Sequence, residues 1–182
     1  MNASRTVPAT PGADSQRVGA GALYRLPGHL IRRCHQISVA LFFEECAAFD
    51  ITPQQYAVLS ALAGNDGVDQ ITLAGLAAFN RTTAGEIVER MELAGLLARR
   101  NSSLDRRMKN IFITESGRKL LADANAAVDR VQERLLTPLD PGERARFIEY
   151  LARIASENNE LSRAPLRPIG KGRGRRRATD AA

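Results

Sequence analysis

The chain has 182 residues, 44% of them apolar and 25% charged, enough for one domain with a substantial core. Three Tyr, six Phe and no Trp point to a helical protein built on Leu and Ala. With no 18-residue apolar run and no apolar segment near the N-terminus, neither a membrane span nor a secretory signal is expected, and the cytoplasm is the expected compartment. The net charge of +6 resides in residues 163–182, so affinity for a polyanion has to come from local patches and not from a global field.

Residues 1–21, rich in Ala, Gly, Pro and Thr with no apolar period, are expected to be a disordered arm. From Leu23 the character changes. Pro27 suits a first helical turn, and the segment to about Ala48 strings Leu26, Leu30, Cys34, Ile37 and Leu41 along one apolar stripe. A helix that long exceeds the needs of a compact monomer and points to a dimer element. Cys34 falls in the main stripe and Cys46 nearer its border; on one helix they are about 18 Å apart, too far for a disulfide.

Another face of this helix carries Arg25, His29, Arg32 and Gln36 at spacings of three and four, with Arg33 nearby. Such a face is either a solvated basic surface or an anion pocket in which a cation holds a ligand carboxylate. His35 lies in a second, partly apolar strip with Ile31, Phe42 and Cys46, which Tyr24 joins if the helical register runs back past Pro27. His29 and His35 face different ways and do not form a chelating pair, so neither a metal nor another cofactor is expected.

Thr52-Pro53-Gln54-Gln55 is a helix start with a cap, a proline at the first position and a capping box. Tyr56, Val58, Leu59 and Leu62 form the buried side, and Gly64-Asn65-Asp66-Gly67 ends the helix. Thr72–Phe79 reads as a short helix. After a break at Asn80-Arg81, Thr82–Ala94 reads as a second, burying Ala84, Ile87, Val88, Met91 and Ala94 and presenting Thr82, Thr83, Glu86, Glu89 and Arg90. Leu93 falls on the polar side without explanation. Gly95 stops that helix. Leu96–Arg100 and Asn110–Ile113 then read as strands of a hairpin whose arms and tip carry Arg99, Arg100, Arg106, Arg107 and Lys109 against the single anion Asp105. Guanidinium groups so placed suit a phosphate rail or a minor groove.

Thr114 caps a further helix with Leu120, Leu121, Ala124, Ala127, Val128, Val131 and Leu135 at helical spacing. Asp140-Pro141-Gly142-Glu143 opens a last one with Phe147, Ile148, Leu151, Ile154 and Leu161. Residues 163–182 contain Pro165, Pro168 and the run Gly170-Lys171-Gly172-Arg173-Gly174-Arg175-Arg176-Arg177, and are expected to be a basic disordered tail. The tail would either add phosphate contacts or serve solubility.

Leu76-Ala77, Asn80-Arg81-Thr82-Thr83, Ala94-Gly95-Leu96, Asp105-Arg106-Arg107 and Thr114-Glu115-Ser116-Gly117 together resemble the winged helix-turn-helix of MarR-type transcriptional regulators, over roughly residues 22–162. The resemblance implies a mainly α fold with a small β-wing. Residues 52–114 would form the winged lobe, and 22–48 and 115–162 a dimerisation base. It implies a homodimer on a palindromic double-stranded operator, with Asn80, Arg81, Thr82, Thr83, Glu86, Arg90, Arg99, Arg106, Arg107 and Lys109 toward DNA. Asp105 would brace the wing and Arg107 would enter the minor groove. Two departures stand out. Gly85 lies within the recognition helix, and Glu86 takes the place of a polar or basic reader. Glu86 could accept from a cytosine amino group or pair with Arg90, the pairing being preferred.

The segment Leu26–Arg33 with His35-Gln36 is similar to family members that control aromatic-acid catabolism, of the hydroxycinnamate and nicotinate kinds. That implies an aromatic carboxylate effector, such as a hydroxylated nicotinic or benzoic acid, at Tyr24, Arg25, His29, Arg32, His35 and Tyr56. For Tyr56, ordinary packing is the competing expectation. The leading function is thus a repressor released by a small aromatic acid. The alternatives are a thiol redox sensor of the same fold and a ligand-independent architectural DNA binder. No phosphate loop, metal spacing or nucleophile set favours an enzyme.

Overall fold

The computed structural model describes residues 20–101 and 109–169; the expected arm, apart from residues 20–21, and the wing tip at Asp105, Arg106 and Arg107 lie outside them. Two compact units divide at residue 40. The first comprises helix α1 (Ala20–Leu23) and most of helix α2 (Pro27–Glu45). The turn at Tyr24–Leu26 interrupts the helix, with Arg25 N–H donating to the Ala22 carbonyl (3.2 Å), so the register does not run unbroken past Pro27. Leu26, Leu30 and Ile37 of the expected stripe are exposed within one chain, at 53%, 47% and 47%.

The second unit holds the core. Helix α3 (Pro53–Gly64) starts on the expected capping box: the Gln55 N–H donates to Thr52 Oγ1 (3.2 Å) and the Thr52 N–H to Gln55 Oε1 (2.9 Å). Helix α4 (Gln70–Leu76) begins two residues before the expected Thr72, because Asp69 is its cap, accepting the N–H groups of Ile71 and Thr72 and the Thr72 hydroxyl. Helix α5 (Arg81–Leu93) is capped by Asn80, which accepts the Thr83 N–H at 2.9 Å.

Both short helices end in the same motif. At the end of α5 the Gly95 N–H reaches the Glu92 carbonyl and the Leu96 N–H that of Met91, with Gly95 at φ +71°. At the end of α4 the Ala78 N–H reaches Gly75 and the Phe79 N–H reaches Ala74, but here the left-handed position, φ +53°, is held by an alanine. A Cβ in that conformation is unfavourable. Ala78→Gly is therefore expected to stabilise the protein by about 1 kcal/mol, read as a higher thermal midpoint.

Strands β1 (Val68–Asp69), β2 (Leu97–Asn101) and β3 (Lys109–Ile113) form an antiparallel sheet in the order β1-β3-β2, with Val68 opposite Ile111 and Leu97 opposite Ile113. The two-residue β1 gives no alternating pattern of its own, and only its pairing reveals it. Helix α6 (Glu115–Leu136) follows, then helix α7 (Pro141–Glu157), capped by Asp140 and Glu143 as expected. Val58, Leu59 and Leu62 of α3 meet Leu73, Ile87, Val88 and Met91 of the helix pair, Ile111 and Ile113 of the sheet, and Ala127, Val128 and Val131 of α6 in one buried cluster. The fold is mainly helical with a small β-wing, and no described helix is long and apolar enough to cross a membrane.

Residues 163–169, expected in the disordered tail, are instead held by hydrogen bonds, including one from the Arg167 N–H to the Gly75 carbonyl of α4. The two thiols also exchange places relative to expectation. Cys46 is buried among core residues, where loss of solvation raises its pKa, while Cys34 is exposed. Helical spacing separated the two faces correctly but could not say which one the rest of the chain covers.

Candidate nucleic-acid interface

Helices α4 and α5 and the β2-β3 hairpin share the buried cluster, so a helix pair and a wing are fixed to one body. Along α5, Ala84, Ile87, Val88 and Met91 face inward, leaving Arg81, Thr82, Glu86, Glu89, Arg90 and Leu93 exposed on the other side. Thr83 is half-buried and its N–H is taken by the Asn80 cap, so Asn80 orders the first turn of α5 whatever else it contacts. Leu93 is 84% exposed, continuing the outward face that begins at Thr82.

Glu86 makes no ion pair with Arg90 among the described residues, contrary to the preferred expectation. Its side chain is exposed on the outer face. At Gly85 a Cβ would lie 2.9 Å from Gln70 Nε2, the far end of a flexible side chain that can turn aside, so the contact does not require glycine there.

Arg99, expected to face DNA, is drawn inward. Its Nε is shielded from solvent 3.4 Å from Glu92 Oε2, an ion pair without hydrogen-bond geometry, and its N–H donates to Glu92 Oε1 at 3.2 Å. Glu92 thereby ties the last turn of α5 to the wing. The Arg100 guanidinium lies over the Phe112 ring at 5.2 Å, and Lys109 is exposed at the start of β3.

Three anchors stand at the wing root, two of them in the Thr114–Gly117 motif. Asp66 accepts the Ile113 N–H (2.9 Å) through one oxygen and Arg118 through the other, joining the α3-β1 turn to β3 and α6. Thr114 donates to the Gly95 carbonyl (2.7 Å) and accepts the Gly117 N–H (3.1 Å), so a single hydroxyl connects the end of α5 to the start of α6. Buried Gly117 packs so closely that a Cβ would fall inside the contact distance of the Leu96 carbonyl oxygen. Asp66 carried no sequence signal beyond its place in a turn.

In the first unit, Arg32 bridges His29 Nδ1 and Gln36 Oε1, both at 3.4 Å, and the Tyr24 ring meets His29 edge-on at 5.7 Å. Tyr24 thus belongs with the basic face and not with the strip of His35. Arg25 and His35 are exposed and have no side-chain partner among the described residues. In the second unit, Tyr56 donates to Asn125 Oδ1 (2.9 Å) and packs edge-on to Phe42, which favours its packing role. Glu45 accepts from Arg130 Nε and Arg134 Nη1, each at 2.7 Å, and these bonds hold its carboxyl below the usual range.

A model described as MarR family matches residues 49–108, which contain this helix pair and strand β2 of the wing and end just before β3. The transcriptional regulator HosA of Escherichia coli O157:H7 is 32% identical over 126 residues, 69% of this chain and 92% of HosA. The chain belongs to the MarR family. This MarR-family protein also superposes on the transcriptional repressor CouR bound to a 23-mer DNA duplex, with a TM-score of 0.71 and 30% identity over 76% of this chain and 98% of the other. A further likeness is to BpsR of Bordetella bronchiseptica, in a structure concerned with regulation of its DNA binding by 6-hydroxynicotinic acid. There the TM-score is 0.68 and the identity 26%, over 72% of this chain and 95% of the other. The MarR-family chain is accordingly a DNA-binding transcriptional regulator with a winged helix-turn-helix.

Proposed function

We propose that the protein is a homodimeric repressor whose hold on a palindromic operator is released by a small aromatic carboxylate. The observation that carries the dimer is apolar surface. Helix α7 has no buried residue, yet Ile148, Tyr150, Leu151 and Ile154 lie along it, and α2 exposes Leu26, Leu30 and Ile37. A second copy is the simplest cover for such faces, and its twofold axis would set two recognition helices about 34 Å apart, one turn of B-DNA. In this reading Thr82, Thr83, Glu86 and Arg90 of α5 read base edges. Asn80 and Arg81 approach the backbone, with Lys109, Arg106 and Arg107 of the wing alongside. Asp105 braces the wing tip, and Arg99 acts through Glu92 and not on DNA.

The effector's carboxylate is taken by Arg32, already oriented by His29 and Gln36, with His35, Arg25 and Tyr24 completing the polar set. CouR and BpsR support a repressor and a hydroxylated aromatic acid respectively. Release requires the acid to bind better to a dimer whose helices no longer match two successive grooves, since equal affinity for both states would shift nothing.

The test is DNA binding to the gene's own upstream intergenic region, titrated with a panel of aromatic acids at fixed salt. Tight binding relieved by one hydroxylated acid is expected, with Arg32→Ala and His35→Ala each weakening the response to that acid at least tenfold while leaving DNA affinity intact. An unchanged response in both variants overturns the assignment of these residues. Binding that ignores sequence and every acid favours the architectural alternative.

A further inference from the structure

Beyond α7 the chain turns back on itself and is clasped to the helix-turn-helix. Asn159 clamps Leu166 at two points, accepting its N–H at 2.8 Å and donating to its carbonyl at 3.2 Å. Both terminal nitrogens of Arg167 meet the Glu160 carboxylate, which brings the Glu160 pKa down to about 2, so this pair is ionised throughout the working range of pH. The Arg167 N–H then donates at 2.8 Å to the Gly75 carbonyl in the last turn of α4, an oxygen that otherwise takes only the longer 3.4 Å approach of the Ala78 N–H and the cap N–H of Ala77. The seat is made by a missing side chain, because a Cβ on Gly75 would lie 2.8 Å from Arg167 Cβ. That neighbour is the root of a side chain, so it cannot move aside without moving the strap.

The charge distribution makes this clasp significant. Helix α5 offers Arg81 and Arg90 against Glu86, Glu89 and Glu92, so the recognition helix is net negative. By contrast, residues 170–177 hold five cations, Lys171, Arg173, Arg175, Arg176 and Arg177, and no anion. When the second helix of such a pair occupies the major groove, the first crosses the sugar-phosphate backbone. A segment anchored on α4 therefore starts out beside phosphates. The eight residues from Gly170 to Arg177 can extend about 26 Å, enough to follow the backbone past the half-site.

We propose that the strap 162–169, seated on Gly75, delivers the cationic segment 170–177 to the DNA phosphates flanking each half-site, making it a second and sequence-independent DNA-contacting element. The proposal rests on the DNA-binding function assigned above. The contacts are charge-assisted bonds from guanidinium and ammonium groups to phosphate oxygens, and they release condensed counterions.

The experiment measures affinity by fluorescence anisotropy across a potassium chloride series, for a 40-bp duplex from the upstream intergenic region and for a scrambled duplex. Truncation after Ile169 is expected to weaken binding to both duplexes and to reduce the slope of log K against log salt by about 2 to 4 per chain. Gly75→Ala keeps every charge and improves helix propensity, yet is expected to move the slope most of the way to the truncated value. In the truncated background the same substitution should change nothing. Glu160→Gln adds to the net positive charge, so charge alone predicts a steeper slope and the clasp predicts a shallower one. An unchanged slope on truncation shows that the segment does not touch DNA and overturns the proposal. A full-length slope in both Gly75→Ala and Glu160→Gln overturns delivery by the clasp. If the full chain binds neither duplex at low salt, the DNA-binding assignment fails and the proposal with it.

Discussion

Gly117→Ala is expected to destabilise the protein by about 3 kcal/mol, seen as a lower urea midpoint with an unchanged slope. Besides the Leu96 carbonyl oxygen, the added methyl would meet Ile113 Cγ1 at 3.0 Å and Leu59 Cδ2 at 3.3 Å. The carbonyl cannot step aside, because it accepts the Thr114 N–H at 3.1 Å and belongs to the turn fixed by Gly95. Relief requires the start of α6 to separate from the end of the recognition helix, so DNA affinity should fall along with stability. Gly142→Ala in the first turn of α7 is the control: its nearest neighbour would be Asp140 Oδ1 at 3.4 Å, and stability should hold or rise slightly. Equal stability for Gly117→Ala and the parent chain would show that the close approach is not a constraint.

In the proposed homodimer, a chain carrying both Leu151→Asp and Ile154→Asp is expected to lose its partner copy and, with it, at least 100-fold in operator affinity. The two residues are 39% and 51% exposed within one chain and neither belongs to the buried core, so the folded protomer should survive the change. Two aspartates facing their symmetry mates across an apolar seam would not. Affinity drops because the second recognition helix no longer binds as a tethered group at high effective concentration. Light scattering gives the mass and anisotropy the affinity. A variant that stays dimeric at parental affinity would remove α7 from the seam and leave α2 as its remaining candidate.

The parts of the fold legible from sequence are those fixed by neighbours three or four residues away. The Thr52 and Asp140 caps with their Pro and Gln or Glu partners, the stop at Gly95, and the inward stripe of Ala84, Ile87, Val88 and Met91 all follow from local hydrogen bonding and helical period. What was not legible depends on distant chain. Strand β1 exists because Val68 finds Ile111, and Asp66 matters because it finds Ile113 and Arg118. Helix α4 starts early because Asp69, adjacent to that pairing, serves as its cap. Arg99 looked like a surface cation because nothing nearby in sequence announced Glu92 as its partner across the turn. The ordering of residues 163–169 is the same lesson: their two prolines and the Gly-rich run that follows them suggested a free tail, while Asn159, Glu160 and Gly75 supply the partners that fix them.

The Thr114 hydroxyl leaves little slack between the end of α5 and the start of α6. Helix α6 runs 22 residues from that junction, a rod about 33 Å long. Tilting such a rod by about 6° about its far end carries the reading head sideways by about one base-pair rise, roughly 3.4 Å. In the proposed dimer, a small angular displacement at the far end of α6 would thus become a loss of register at the groove, with the helix pair and wing keeping their internal shape.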